Sequence, residues 1–210
     1  PANLRTPVAP AADGLLRPGL TLMTLAPERE GGLAAIRDLA AHGVVVSAGH
    51  SAATYEQALA ALDAGLTYGT HIFNAMEPLS HRKAGLVSAL LSDDRVRIGL
   101  IADGVHVHPS TVKWLIRAKG ASGVTLVTDA LAPAGMGRGR FQLGRQRIFV
   151  TGEGGARLAN GTLAGSILTL DQAIRNVVAW GAASLADALR MASTTPADLL
   201  GRADLGRIAP

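Results

Sequence analysis

Between residues 20 and 129 the chain repeats one pattern: a short apolar run, a polar residue closing it, then an amphipathic stretch of helical period. Strand and helix alternating in this order specify an α/β fold with a parallel sheet, because parallel neighbours need a long crossover and a helix supplies it. The apolar runs fall at 20–25, 44–48, 66–70, 97–102 and 124–128. Helices are predicted over about 31–41, 54–64, 85–92 and 109–119, and further on over about 169–180 and 185–194. In the first of these Leu33, Ile36, Leu39 and Ala40 share one face. Gly43 and Gly65 stand where helices stop, and Pro109 suits a first helical turn. Residues 133–162 break the rhythm. They are Gly-rich, and FQLG and RIFV within them read as short antiparallel strands, an excursion from the main sheet.

Each of the five runs ends on a side chain able to do chemistry: Glu28, His50, His71, Asp103 and Asp129. Active sites of parallel α/β folds assemble at the C-terminal ends of the strands. A barrel would bring all five to one mouth, whereas an open sheet would spread them out.

Composition narrows the chemistry. The chain has no cysteine, so a transition metal would need His and carboxylate ligands. No apolar run reaches the 18 or so residues of a membrane span, and no signal segment is visible, so a cytoplasmic protein without a membrane partner is expected. The formal charge is +4, yet 17 of the 20 basic residues are Arg and they are scattered. Their densest cluster, 138–147, lies in a Gly-rich stretch with one aromatic, Phe141. That distribution argues against nucleic acid and suits a small anionic substrate. The chain opens on Pro1, in a loop-like segment, and closes on LGRIAP, where a strand or linker would be expected to follow, so a fragment of a longer protein is expected.

His50 follows VVVSAG and His71 follows LTYGT, 21 residues apart at equivalent places just past two strands. Either alone would read as an ordinary loop histidine; the pair reads as two metal ligands. Asp129, in VTLVTDALAP, would read alone as a turn or capping residue. Beside a metal it can take a proton from water and pass it to a leaving group. His106 and His108 have metal-like H-x-H spacing, but Pro109 follows at once and places them in a loop entering a helix. His106 therefore reads as substrate-facing and His108 as surface. Asn74, Ala75 and Arg82 form a polar loop suited to a phosphate, for which Arg offers a planar fork of donors. GMGRGR at 135–140 is no dinucleotide motif, because it does not join a strand to a helix.

Six segments occur in one order: TLAPE (24–28), SAGHS (47–51), THIFNAM (70–76), IADGVHV (101–107), LVTDALAPAG (126–135) and NGTLAGS (160–166). Together they resemble the N-acetylglucosamine-6-phosphate deacetylases of the amidohydrolase superfamily. The resemblance implies a (β/α)8 TIM-type barrel, of which residues 1–210 would hold strands 4–8 only, with the flanking β-domain absent. It implies a divalent metal, Zn or Fe, on His50 and His71, with Asp129 as the catalytic acid and base. It also implies that Asn74, Ala75 and Arg82 bind the substrate phosphate, Arg82 being lent to the neighbouring subunit of a homodimer. His106 would bind the amino-sugar phosphate, and the loop at Leu163 and Ala164 would pack on the sugar. The family's remaining ligand, a Glu in H-L-E-G-P, has no counterpart here, and Glu28 lies on a later strand. An incomplete barrel with at most two of three protein ligands is therefore expected, with exposed edges that fold poorly alone. Another amidohydrolase activity, such as cyclic-amide hydrolysis, and a non-catalytic sugar-phosphate-binding module are the alternatives.

Overall fold

The computed structural model describes residues 16, 18–151 and 155–208. The described residues divide into two compact units, those up to 99 with 197–204 and those of 100–196 with 205–208.

The first unit carries β1 (Leu22–Leu25), α1 (Gly32–Ala41), β2 (Val45–Ala48), α2 (Tyr55–Asp63), β3 (Leu66–Gly69), α3 (Leu86–Ser92) and the opening residues of β4 (Arg97–Ile101). All three strand pairs are parallel: Leu22 faces Val45, Ser47 faces Tyr68, and Tyr68 faces Arg97. The register of β2 on β3 shifts between Val46 and Ser47, two residues before the turn that carries His50. Helix α1 buries Ile36 and Leu39 of the face its periodicity assigns, together with Ala35, while Leu33 and Ala40 are only half-buried. Helix α2 starts with a capping box, in which the Thr54 hydroxyl accepts from the Gln57 N–H and the Gln57 amide oxygen accepts from the Thr54 N–H. Such a cap contributes about 1 kcal/mol and fixes where the loop after β2 ends. Ile36, Leu39, Leu66, Ile72, Leu86, Leu90 and Ile98 are fully buried, each worth about 1.5–3 kcal/mol of transfer free energy.

Small residues let these layers close. A Cβ on Gly49 would lie 2.2 Å from Thr70 Cγ2 and 3.0 Å from Thr24 Cγ2, so only glycine fits immediately before His50. On Gly69 it would lie 2.6 Å from Leu90 Cδ1.

The second unit carries the closing residues of β4, α4 (Pro109–Lys119), β5 (Val124–Val127), β6 (Gly139–Leu143), β7 (Gln146–Val150), β8 (Ala156–Leu158), β9 (Leu163–Gly165), α5 (Leu170–Ala179) and α6 (Leu185–Ala192). A short α7 (Thr194–Leu199), which the sequence does not predict, follows, with its first three residues in this unit. Strands β6 to β9 form an antiparallel four-stranded sheet in chain order. Its own small core is Ile148, Val150 and Ala156, with Leu131, Phe141, Leu158, Ala164 and Ile167 packed on it.

The fold is α/β with a parallel sheet ordered β1-β2-β3-β4-β5. Among the described residues that sheet is open, with β1 and β5 at its ends, and forms no closed barrel. No helix among the described residues is long and apolar enough to cross a membrane.

Candidate active site

Five non-glycine residues have positive φ among the described residues: His50 at 50°, His71 at 27°, Phe73 at 74°, Ala75 at 51° and Asp129 at 48°. Each such backbone costs about 1–3 kcal/mol and persists only where its surroundings hold it. Three are the residues singled out from the sequence as metal ligands and acid/base, and all five lie in turns directly after β2, β3 and β5.

In the first unit the turns after β2 and β3 bring two imidazoles together. His50 Nε2 and His71 Nε2 lie 3.0 Å apart, with ring centroids at 4.8 Å and planes at 70°. Two nitrogens on one tetrahedral cation at about 2.0–2.1 Å would stand about 3.3 Å apart, so a shift of a few tenths of an ångström admits an ion. The donor set fits two positions of such a site: no group of three His, Asp or Glu that could hold a metal occurs among the described residues.

The turn after β2 is tied on two sides. Glu28, just past β1, accepts from the Ser51 hydroxyl at 2.6 Å and from the Ala52 N–H at 2.8 Å. The Ser51 N–H donates to the Ala75 carbonyl at 3.1 Å, and a parallel bridge joins Ser51 to Met76. With both oxygens engaged, Glu28 holds the His50 turn. Glu28 is one of the strand-end side chains of the sequence, and its partner Ser51 lies 23 residues away.

Asn74 donates its side-chain amide to the carbonyls of His71 and Ile72, both at 3.1 Å. Its two hydrogens thereby brace the turn that carries His71. Ala75 and Arg82 are exposed, and Arg82 stands in a wholly exposed stretch, 77–84.

In the second unit His106 is 4% exposed at its side chain and Asp103 10%. Asp103 Oδ2 accepts from His106 Nδ1 at 2.6 Å, and Oδ1 accepts from the N–H groups of Val105 and His106 at 2.9 and 2.8 Å. An ionised carboxylate only accepts, so the proton sits on Nδ1 and Nε2 is the nitrogen left for a ligand. The loop is pinned from behind, where Asn176 donates to the Ala102 carbonyl at 2.8 Å. The sequence marks His106 as substrate-facing and Asp103 as a strand end, and the fold pairs the two. His108 caps α4, its Nδ1 accepting from the Ser110 N–H.

Burial acts to raise the Asp103 carboxyl, but the His106 ring and the main-chain N–H groups of His106 and Val105 outweigh it and hold it below the usual range. A depressed folded value stabilises the fold fully above the unfolded value of about 3.9, and that contribution is lost as pH falls through the folded value. Urea unfolding below about pH 4 is therefore expected to show a steeper loss of stability in the native protein than in Asp103→Asn. Parallel acid limbs for the two would contradict this.

Asp129 is exposed on its positive-φ turn. Ser166 holds that turn: its N–H donates to the Asp129 carbonyl at 2.9 Å, its hydroxyl to the Thr128 carbonyl, and its own carbonyl accepts from the Leu131 N–H at 3.0 Å. A Cβ on Gly165 would lie 3.1 Å from the Asp129 carbonyl oxygen and 2.8 Å from Leu131. The NGTLAGS segment thus supports Asp129 through its last two residues. Leu163 and Ala164, expected in a loop against the sugar, belong instead to strand β9. Pairing of Leu163 with Arg157 and of Gly165 with Ala156 draws them into the small sheet. There Ala164 packs on the core of that sheet, and alternation along the strand turns Leu163 to the other face.

Comparison with known proteins supplies a frame for this geometry. The family described as "Amidohydrolase family" matches residues 11–210. An N-acetylglucosamine-6-phosphate deacetylase of Lysinibacillus sphaericus is 44% identical over 186 residues, 89% of this chain and 48% of that protein. An N-acetylgalactosamine-6-phosphate deacetylase of Escherichia coli O157:H7 is 45% identical over 182 residues, 87% of this chain and 48% of that protein. Among solved structures, the N-acetylglucosamine-6-phosphate deacetylase of Thermotoga maritima superposes with a TM-score of 0.87 at 37% identity, covering 93% of this chain and 53% of that one. A mutant of the Mycobacterium smegmatis enzyme in complex with N-acetyl-D-glucosamine-6-phosphate gives a TM-score of 0.82 at 44% identity, over 86% of this chain and 48% of that one. The chain spans about half the length of the curated relatives it matches.

Proposed function

The chain belongs to the amidohydrolase family, and from that premise we propose that the whole protein hydrolyses the N-acetyl amide of N-acetylglucosamine 6-phosphate, giving glucosamine 6-phosphate and acetate in amino-sugar catabolism. The observation that carries this reading is the convergence of His50 Nε2 and His71 Nε2, 3.0 Å apart on two positive-φ turns. We propose further that the parallel strands are part of a closed (β/α)8 barrel, with the four-stranded sheet an excursion from that one domain. The strand order following the chain order supports this.

His50 and His71, with one carboxylate that this sequence does not supply, would hold a divalent cation, Zn or Fe. A cation held by these residues would supply Lewis-acid chemistry, polarising the amide carbonyl and acidifying water. Asp129 takes one proton from the attacking water, and the water oxygen bonds to the acetyl carbon. Asp129 then returns that proton to the nitrogen as the C–N bond breaks, so the free amine leaves and the acetic acid formed gives the water's second proton to solvent as acetate. His106, its Nδ1 fixed by Asp103, offers Nε2 to the amide oxygen or to the sugar. The turn at Asn74 and Ala75, together with Arg82, receives the 6-phosphate, Arg82 as a bidentate donor lent across a homodimer. Leu163 lies against the sugar. A cytoplasmic location fits a substrate carrying a phosphate.

The 45% identity to a galactosamine-type relative favours one second reading, the C4 epimer of the same substrate. Full-length protein is expected to release acetate from N-acetylglucosamine 6-phosphate and far more slowly from unphosphorylated N-acetylglucosamine. Faster release from N-acetylgalactosamine 6-phosphate would transfer the assignment to the epimer, and equal rates with and without phosphate would overturn the phosphate role of Asn74, Ala75 and Arg82.

A further inference from the structure

The geometry points to Glu28 as the positioning residue of His50, an inference that rests on the reading of His50 as a metal ligand. One carboxylate grips the two residues that directly follow His50: Oε2 accepts from the Ser51 hydroxyl at 2.6 Å and Oε1 from the Ala52 N–H at 2.8 Å. Hydrogen bonds to an ionised acceptor are short and roughly twice as strong as neutral ones. Ser51 is 3% exposed, and its hydroxyl also accepts from the Ala53 N–H at 3.1 Å. From the opposite side the Ser51 N–H is held by the Ala75 carbonyl. His50 itself is exposed and sits at φ 50°. An exposed imidazole on a left-handed backbone takes its aim from the residues that hold the turn beside it.

Three separate pieces of chain therefore meet at Ser51: the end of β1, the turn after β2 and the loop after β3. Removing Glu28 releases one side of that junction and lets the His50 turn relax toward ordinary φ, swinging Nε2 away from His71 Nε2. Glu28 touches neither substrate nor cation in this arrangement and acts only through His50.

The test uses full-length protein carrying Glu28→Ala, Glu28→Gln or Ser51→Ala. Zn2+ affinity of the apoprotein is read by competition with a chromophoric chelator, beside the apoprotein melting temperature and kcat and KM for acetate release. Glu28→Ala is expected to weaken Zn2+ binding about 10–100-fold, the range typical of groups that orient ligands from outside the coordination sphere. Its kcat is expected to fall while KM stays near native. Glu28→Gln keeps one acceptor oxygen of the same reach but no charge, so its affinity should fall between that of Glu28→Ala and that of the native protein. Should Glu28→Ala fail to fold, Ser51→Ala, which removes one of the two grips, is expected to show a smaller loss of the same sign. Native Zn2+ affinity in folded Glu28→Ala or Ser51→Ala, with only the apoprotein melting temperature lowered, would reduce Glu28 to a structural brace and overturn the inference. Weakened Zn2+ binding in a protein that releases no acetate would uphold Glu28 while removing the proposed substrate. Native affinity in a variant of an active enzyme would do the reverse.

Discussion

Asp129→Asn is expected to lower acetate release about 10²–10⁴-fold, the contribution of a positioned general acid/base, while metal content stays at the native level. Asn is close in size to Asp and is one of the few residues enriched at positive φ. The turn at φ 48° should therefore survive the exchange. Ser166 holds that turn through the Thr128 and Asp129 carbonyls, which the substitution does not alter. What disappears is the oxygen able to carry a proton. Elemental analysis beside steady-state kinetics reads both halves of the prediction. Native turnover in Asp129→Asn would remove Asp129 from the chemistry. Loss of metal along with activity would show it to be a ligand or a structural post.

The second large effect belongs to the imidazole pair. His50→Asn and His71→Asn are each expected to lose more than about 100-fold in Zn2+ affinity, because even groups outside the coordination sphere are worth about 10–100-fold. Turnover should fall in step at limiting Zn2+. Asn again tolerates the positive φ at both positions, so the apoprotein melting temperature should stay near native. That separates loss of a ligand from loss of a strained turn. Zn2+ affinity unchanged in either variant would show that the 3.0 Å approach of the two rings is an imidazole–imidazole hydrogen bond with no metal role.

Much of the fold is legible in the sequence because its signals are local. The period of Ile36 and Leu39 places α1, Pro109 opens α4, and Gly43 and Gly65 follow the ends of α1 and α2. Strand bounds agree to within one or two residues, with 66–70 expected and Leu66–Gly69 found. Strand β9 escaped because Leu163–Gly165 is three residues long and gains its identity only by pairing with β8. Helix α7 escaped because Pro196 inside it reads as a stop.

The candidate site divides in the same way. His50, His71 and Asp129 stand out because each ends an apolar run, a feature visible in one dimension. Their holders do not: Glu28 lies 23 residues from Ser51 and Ser166 lies 38 from Thr128, and no periodicity records a contact of that span. Asp103 is only three residues from His106, yet D-x-x-H is too common a spacing to mark a pair without the fold around it. The positive φ of the histidines and Asp129 was also invisible, since none is glycine. Local rules broken by non-glycine residues mark functional positions in many folds, and here they coincide with the side chains assigned to chemistry.

Metal-dependent deacetylation is tested most directly by acetate release from N-acetylglucosamine 6-phosphate, measured on full-length protein before chelation, after chelation and after Zn2+ or Fe2+ is returned. Release is expected in the native protein, abolished by the chelator and restored by the metal in the native protein but not in His50→Asn or His71→Asn. Release that persists undiminished in the chelated protein, or its absence from the metal-loaded one, would contradict the assignment.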